Sequence, residues 1–95
     1  MLSSFAGELV GTFIFLSIIL ATGSAIPIAI GLLTAIYFSN SLSGAHLNPA
    51  VSVMMFANGN IPLAKLGVYV VAQILGGLLA LAWFKLSGAK KIASQ

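Results

Sequence analysis

Long apolar runs separated by short polar breaks dominate this sequence. Three runs, at about residues 4–21, 26–42 and 61–86, are long enough and poor enough in charge to cross a bilayer as helices. Between the second and third runs lies the polar segment 43–51, Ser-Gly-Ala-His-Leu-Asn-Pro-Ala-Val. The pattern predicts an all-α membrane protein with three transmembrane helices and one distinct segment between the last two.

A short helix is predicted to follow this polar segment. Asn48 is a good N-cap and Pro49 suits the first helical position, while the residues after them are uncharged and, apart from Ser52, apolar as far as Asn58. A helix over about residues 48–58 is about 16 Å long, or about half of the hydrocarbon core. We therefore predict a re-entrant half-helix that ends near the middle of the membrane and is covered there by protein or a water-filled cavity.

Capping residues and prolines predict where the helices begin and end, and small residues predict which faces pack together. Ser3 or Ser4 is predicted to cap the first helix, and Asn58-Gly59-Asn60 to end the half-helix. All three prolines fall at helix starts, at Pro27, Pro49 and Pro62. Stripes of small residues predict close helix packing at Gly7 and Gly11, at Gly31, Ala35, Ser39 and Ser43, and at Ala72, Gly76 and Ala80. We treat residues 1–95 as one domain.

Composition agrees with a multi-pass integral membrane protein. The 95 residues are 60% hydrophobic and 5% charged, against about 25% charged in average proteins. With no cysteine, one histidine and one acidic residue, we expect no metal site and no cofactor. The net charge of +3 is not clustered, so we do not expect a nucleic-acid partner.

The start of the half-helix is the first candidate functional feature. Its first N–H groups lack helical partners, and the helix dipole places partial positive charge there. Asn48 adds amide donors at the same point. Near the midplane this end would offer hydrogen bonds to water or an alcohol and repel cations. The alternative is that Asn48 is only a helix cap in an aqueous loop.

Glu8, the only acidic residue, is the second candidate. It is either an anchor that accepts hydrogen bonds from the polar loop and Gln73, a proton or cation carrier, or a headgroup-level residue that favours the helix dipole. Gln73 is expected to bond to another helix or to Glu8. For His46, a loop-bracing or pore-edge donor is favoured over a titrating switch.

Four parts of the chain resemble the aquaporin and aquaglyceroporin (major intrinsic protein) family. Residues 43–51 resemble its first Asn-Pro-Ala loop, and residues 8–13 resemble its first-helix Glu-x-x-Gly-Thr-Phe. Residues 35–37, Ala-Ile-Tyr, resemble the second helix of glycerol facilitators, and residues 69–77 resemble the third-helix Ala-Gln-x-x-Gly pattern. The resemblance covers nearly the whole chain in the family's order.

The resemblance implies six spanning helices in two inverted halves, whose half-helices meet at the midplane. It makes Asn48 the pore donor, Glu8 and Gln73 the braces of the loop, and Ile28 the selectivity-filter residue. The implied pore lining comprises Gly44, Ala45, His46, Asn48, Pro49, Ala50, Val51 and Ile28. The sequence departs from the family at three points: it has one Asn-Pro-Ala, it has Val51 where the second loop has arginine, and Ile28 is aliphatic rather than aromatic. These departures argue against strict selectivity for water.

Half of a family chain can form a channel if an inverted second copy completes it. The amino terminus and Lys65 would lie on one side of the membrane, and Lys85, Lys90 and Lys91 on the other, which is a weak topological bias. We therefore expect a non-enzymatic, passive channel for water and small uncharged solutes such as glycerol in an antiparallel homodimer, with four pores in an octamer, in the cell (inner) membrane.

Three alternatives stay open at this point. One is a small dual-topology proton-coupled transporter that uses Glu8, and another is a non-conducting membrane scaffold subunit. In the third, the 95 residues are a fragment of a longer chain or one subunit of a hetero-pair.

Overall fold

Four helices make up the computed structural model, which describes residues 1–92. They are α1 (Leu2–Ala21), α2 (Ala25–Ser43), α3 (Pro49–Ala57) and α4 (Leu63–Leu86). By length and composition, α1, α2 and α4 can each cross a membrane. No β-strand occurs within residues 1–92. The predicted all-α fold with three long apolar helices and one short helix is confirmed, with helix ends displaced by one or two residues.

The helix starts follow the proline and asparagine pattern. Asn48 is the N-cap of α3, where its Oδ1 accepts a hydrogen bond from the Ala50 N–H at 2.8 Å. Pro49 is the first residue of α3, and Pro62 is the N-cap of α4. The prediction that Ser3 or Ser4 caps α1 is wrong. Helix α1 already begins at Leu2, because neither serine interrupts a chain that has no helix breaker there.

Helix α1 is the centre of the bundle. It packs against α2 on one side and α4 on the other, while α3 packs against α4. The Ile92 N–H donates to the Ala21 carbonyl at 2.7 Å, which places the ends of α1 and α4 together. We call this the C-terminal end of the bundle, and the end that holds the starts of α1 and α4 the N-terminal end. The longest dimension is 41 Å, close to the full thickness of a bilayer, about 40–45 Å.

Small residues allow these helices to approach closely, as predicted. Ser39 Oγ donates to the Gly7 carbonyl at 2.9 Å across the α1–α2 contact. On the other side of α1, a Cβ atom at Gly76 would lie 2.6 Å from the Leu9 carbonyl oxygen. The buried members of the three stripes are Gly7, Gly11, Gly31, Ala35, Ser39, Ala72, Gly76 and Ala80.

The short helix α3 begins near the middle of the bundle and returns to its N-terminal end. Gln73, the eleventh of the 24 residues of α4, donates to Ser52 Oγ in the first turn of α3 at 2.9 Å. Helix α3 ends at Ala57, and Gly59 then takes the left-handed conformation (φ 82°) before the start of α4. The tip of α3 is therefore held at about half the height of α4.

The α1–α4 contact predicts a sharp difference between two glycines of one helix. In Gly76→Ala the new methyl group meets the backbone of α1, so we expect a loss of about 1–3 kcal/mol in the free energy of unfolding. Gly67 has no atom within 4 Å of its ideal Cβ position, so Gly67→Ala should be neutral or stabilise the helix by a fraction of a kcal/mol. Unfolding in detergent micelles measures both, and equal stability of the two variants would contradict the packing.

Candidate pore loop and its carboxylate anchor

Glu8 is completely buried and uses its full capacity to accept hydrogen bonds. Its Oε2 accepts from Ser43 Oγ at 2.6 Å and from the His46 N–H at 2.9 Å. Its Oε1 accepts from the Leu47 N–H at 2.7 Å and from Gln73 Nε2 at 2.8 Å. An ionised carboxylate offers about four acceptor positions. These four contacts are the ones that the anchor interpretation of Glu8 requires.

The loop backbone has a conformation that few sequences adopt unaided. Gly44, Ala45 and Leu47 all have positive φ angles, of 85°, 54° and 56°. For the two residues other than glycine, this conformation costs of order 1–3 kcal/mol each and needs support from the surrounding structure. The Glu8 carboxylate gives that support, since it binds the two N–H groups at His46 and Leu47.

The same hydrogen bonds fix where the loop carbonyls point. In a trans peptide the carbonyl points opposite to the N–H group of the next residue. Because the N–H groups of His46 and Leu47 face Glu8, the carbonyls of Ala45 and His46 face away from it. Neither carbonyl accepts a hydrogen bond within residues 1–92. The loop thus presents two free acceptors on the side away from α1.

A second layer of polar contacts supports the loop from α3 and α4. The hydroxyl of Ser52, which is fully buried, lies 2.9 Å from His46 Nδ1 and accepts from Gln73 Nε2 at 2.9 Å. The Tyr69 hydroxyl donates to the Ser43 carbonyl, and the Tyr69 ring packs on the imidazole with centroids 4.6 Å apart. His46 is therefore held on two sides, and Gln73 joins Glu8 to α3.

His46 has the environment of a neutral imidazole. Burial lowers the pKa of His46 below its ordinary value of 6.5. The negative charge of Glu8 acts in the opposite direction, and the positive charge of Lys65 adds to the lowering. A lowered pKa leaves the ring uncharged at pH 7, so it can act as a hydrogen-bonding group without adding a positive charge to the loop.

Asn48 combines a cap with free donors at the tip of α3. Its Oδ1 accepts from the Ala50 N–H, and its Nδ2 donates to no described residue. Asn48, Pro49 and Ala50 are exposed, and Val51 is half-buried. The amide donors and the positive end of the α3 dipole therefore coincide on an open surface near mid-height.

Ile28 is not brought near this loop. It is half-buried in the first turn of α2, 15 residues before Ser43, which is about 22 Å along the helix axis. It lies close to the C-terminal end of the bundle, whereas the other predicted pore residues lie between mid-height and the N-terminal end.

Ser52 and Tyr69 were not predicted as site residues, although both contact the loop. A signal for Ser52 exists in the sequence, because it is the one polar residue within Pro49–Ala57. Tyr69 gives a weaker signal, since an aromatic residue near the start of an apolar helix is equally common at a membrane surface.

An open groove of about 430 Å³ adjoins the tip of α3 between α1 and α4. We call it the midplane groove; its lining includes Thr12, Phe15, Asn48, Gln73, Ile74 and Leu78. Two buried oxygens of lining residues, Thr12 Oγ1 and Gln73 Oε1, have no hydrogen-bond partner within residues 1–92. Buried polar atoms are seldom left unpaired, so these two oxygens are exceptions beside the fully paired carboxylate of Glu8.

Comparisons with known proteins match nearly the whole chain to one sequence family. The sequence model of the family described as major intrinsic protein matches residues 1–94. Aquaporin Z of Photorhabdus laumondii is 32% identical over 97 aligned residues, covering 86% of this chain and 42% of that protein. Aquaporin NIP1-1 of Arabidopsis thaliana is 34% identical over 70 residues, covering 74% of this chain and 24% of that protein.

A shorter match extends the similarity to a second type of relative. Aquaglyceroporin-4 of Botryotinia fuckeliana is 51% identical over 45 residues, covering 47% of this chain and 6% of that protein. The chain thus spans less than half the length of these curated relatives. No solved structure matches it.

The anchor role of Glu8 predicts a large loss of stability in Glu8→Gln. The amide has one acceptor oxygen, so its NH₂ group must face N–H donors that the carboxylate accepted, and we expect a loss of about 3 kcal/mol in the free energy of unfolding. Ser17→Ala is the matched control on α1, because Ser17 Oγ is buried without a described partner and its removal breaks no hydrogen bond. Unfolding in detergent micelles compares the two; a Glu8→Gln protein as stable as the control would refute the anchor.

Proposed function

Because the chain belongs to the major intrinsic protein family, we propose that it builds a passive channel for water and small uncharged solutes such as glycerol. Membership of the family and three apolar helices make it an integral membrane protein. The observation that carries the proposal is the position of the tip of α3. This helix begins near mid-height with the Asn48 amide donors free, and Glu8 anchors the loop that precedes it.

The loop offers both kinds of hydrogen bond that a neutral solute needs on its path. Asn48 Nδ2 donates, and the free carbonyls of Ala45 and His46 accept. A molecule with hydroxyl groups can exchange water for these partners at little cost, whereas a cation meets the positive end of α3. Transport of this kind requires no covalent step, so we do not propose an enzymatic activity.

A second copy, inserted upside down, completes the pore in this proposal. Lipid cannot satisfy the exposed N–H groups and amide at the tip of α3, so protein or water must cover them. The position of the midplane groove supports an inverted partner. Two inverted copies are related by a twofold axis that lies in the membrane plane at mid-height, and the groove lies at that height. Such an axis would bring the grooves of the two copies together.

The charge distribution is compatible with insertion in both orientations. The amino terminus and Lys65 lie at the N-terminal end of the bundle, and Lys85, Lys90 and Lys91 follow at the C-terminal end. The two ends therefore differ by about one charge, which gives little topological preference. The proposed assembly is an antiparallel homodimer in the cell membrane, with four such pores in an octamer as the family's habit suggests.

The proton-coupled transporter is less well supported. A carrier carboxylate must exchange protons with water, whereas Glu8 is fully buried and accepts four hydrogen bonds. A non-conducting scaffold would not need free donors at the tip of α3. Neither alternative accounts for the position of Asn48.

Asn48→Asp tests the pore donor without removing the helix cap, since aspartate caps helices as well as asparagine. Proteoliposomes that contain the unmodified protein alone should swell faster than empty vesicles after an osmotic step. In Asn48→Asp we expect the rate above background to fall about fivefold, because one hydrogen-bond donor worth about 1 kcal/mol is lost. The carboxylate should also admit sodium ions.

Asn60→Asp is the matched control, since Asn60 uses only its Oδ1 as a described side-chain acceptor and lies in the exposed turn after α3. It should swell like the unmodified protein. No swelling above that of empty vesicles by the unmodified protein would reject the channel.

Inverted pairing predicts that channel activity requires both orientations. A variant with Asn58→Lys, Asn60→Lys and Lys85→Gln moves the excess positive charge to the N-terminal end. One with Lys65→Gln and Ser87→Lys increases the excess that is already at the C-terminal end. Each should insert in one orientation and conduct poorly alone, whereas co-expression should restore swelling. Full activity of either variant alone, with one-sided labelling verified, would exclude the antiparallel pore.

A further inference from the structure

A second groove, separate from the midplane groove, lies between α1 and α2 at the C-terminal end of the bundle. Its volume is about 480 Å³, and its lining is almost entirely apolar, including Ile14, Ile18, Ile26, Pro27, Ile30 and Ile92. The lining residues of α1 extend from Ile14 to Ala21, so the groove runs about 10 Å along the helix from its end. A groove of this depth, parallel to the spanning helices, has the shape and polarity to hold a hydrocarbon chain.

The segment after α4 forms the mouth of this groove. The Ile92 N–H donates to the Ala21 carbonyl at 2.7 Å, and Ile92 also lines the groove. Lys90 and Lys91 immediately precede Ile92, so their Cα atoms lie within about 8 Å of that of Ile92. Two exposed lysine side chains therefore begin close to the outer end of the apolar groove.

The sequence offers Lys90 and Lys91 no acidic side chain that could form a salt bridge with them. Glu8 is the only acidic side chain of the sequence, and it is buried near the N-terminal end and bound by four donors. The membrane surface at the lysines is indicated by Trp83 and Lys85 in the last turn of α4. An anionic group at headgroup level can therefore approach Lys90 and Lys91 without competing with an acidic side chain.

We propose that this groove binds one acyl chain of an anionic phospholipid, with the phosphate against Lys90 and Lys91. The apolar lining accounts for the acyl chain, and the unpaired cations at the mouth account for the preference for a negative headgroup. The site does not depend on the channel function, because it uses the α1–α2 side of α1 and no residue of the pore loop.

The binding experiment compares lipids with the same acyl chains and different headgroups. The full chain in mild detergent is titrated with dioleoyl phosphatidylglycerol or dioleoyl phosphatidylcholine, and native mass spectrometry counts the bound lipids. Each lysine near an anionic surface contributes about 1 kcal/mol, which is about fivefold in affinity, so we expect the anionic lipid to bind at least tenfold more tightly. Glycerophosphoglycerol, the headgroup without acyl chains, should not bind measurably.

Two pairs of variants separate the specific site from general attraction to the membrane surface. Lys90→Gln with Lys91→Gln should remove the preference for the anionic lipid, whereas Lys85→Gln, at the same end of the bundle, should keep it. Ile30→Trp fills the groove and should weaken binding of both lipids, whereas Ile36→Trp lies outside the groove on the same helix and should not.

Equal affinity for the two lipids would overturn the proposal. So would an equal loss in Lys85→Gln and in the double variant, because that result indicates only diffuse attraction to lysines. If Ile30→Trp changes the number of protein copies in the assembly and leaves lipid binding intact, the groove is a contact between copies and the lipid site is rejected.

Discussion

One buried carboxylate holds the polar loop to the apolar bundle. An ion in a hydrocarbon environment is costly unless it is fully hydrogen-bonded. Glu8 meets this condition through donors from the end of α2, the loop backbone and α4. Those bonds hold Ala45 and Leu47 in left-handed conformations and turn the loop carbonyls away from α1. The hydrogen bonds of Glu8 therefore account both for the strained backbone of the loop and for the direction of its free carbonyl groups.

The fold was predictable because membrane insertion restricts helices to a narrow range of lengths and compositions. Part of the site was predictable for a related reason: a lone Glu8 and a lone Gln73 in apolar helices need polar partners. The positive φ angles at Ala45 and Leu47 were not predictable, since neither residue type favours that conformation and distant contacts impose it. The role of Ser52 was not predictable, because a single serine in a short apolar helix does not by itself require a polar partner from another helix.

The two grooves of the chain bear on the assembly that we propose. Lipid tails are as apolar as leucine, so apolar side chains alone do not drive helices together in a membrane. Association needs close packing of small residues or polar contacts, and the midplane groove offers both, with Gly77 on α4 and the exposed Asn48. By contrast, the groove between α1 and α2 is almost purely apolar, which suits lipid better than a second helix bundle.

The length of α3 argues for an inverted partner over one in the same orientation. Its nine residues extend about 13 Å from mid-height towards the N-terminal end, so the other half of the bundle has no such helix. A parallel second copy would place both half-helices in the same half of the membrane. An inverted copy places its half-helix in the empty half, and the two together extend about 27 Å, close to the 30 Å thickness of the hydrocarbon core. The two positive ends then face each other at the midplane, where a cation is farthest from bulk water and hardest to stabilise.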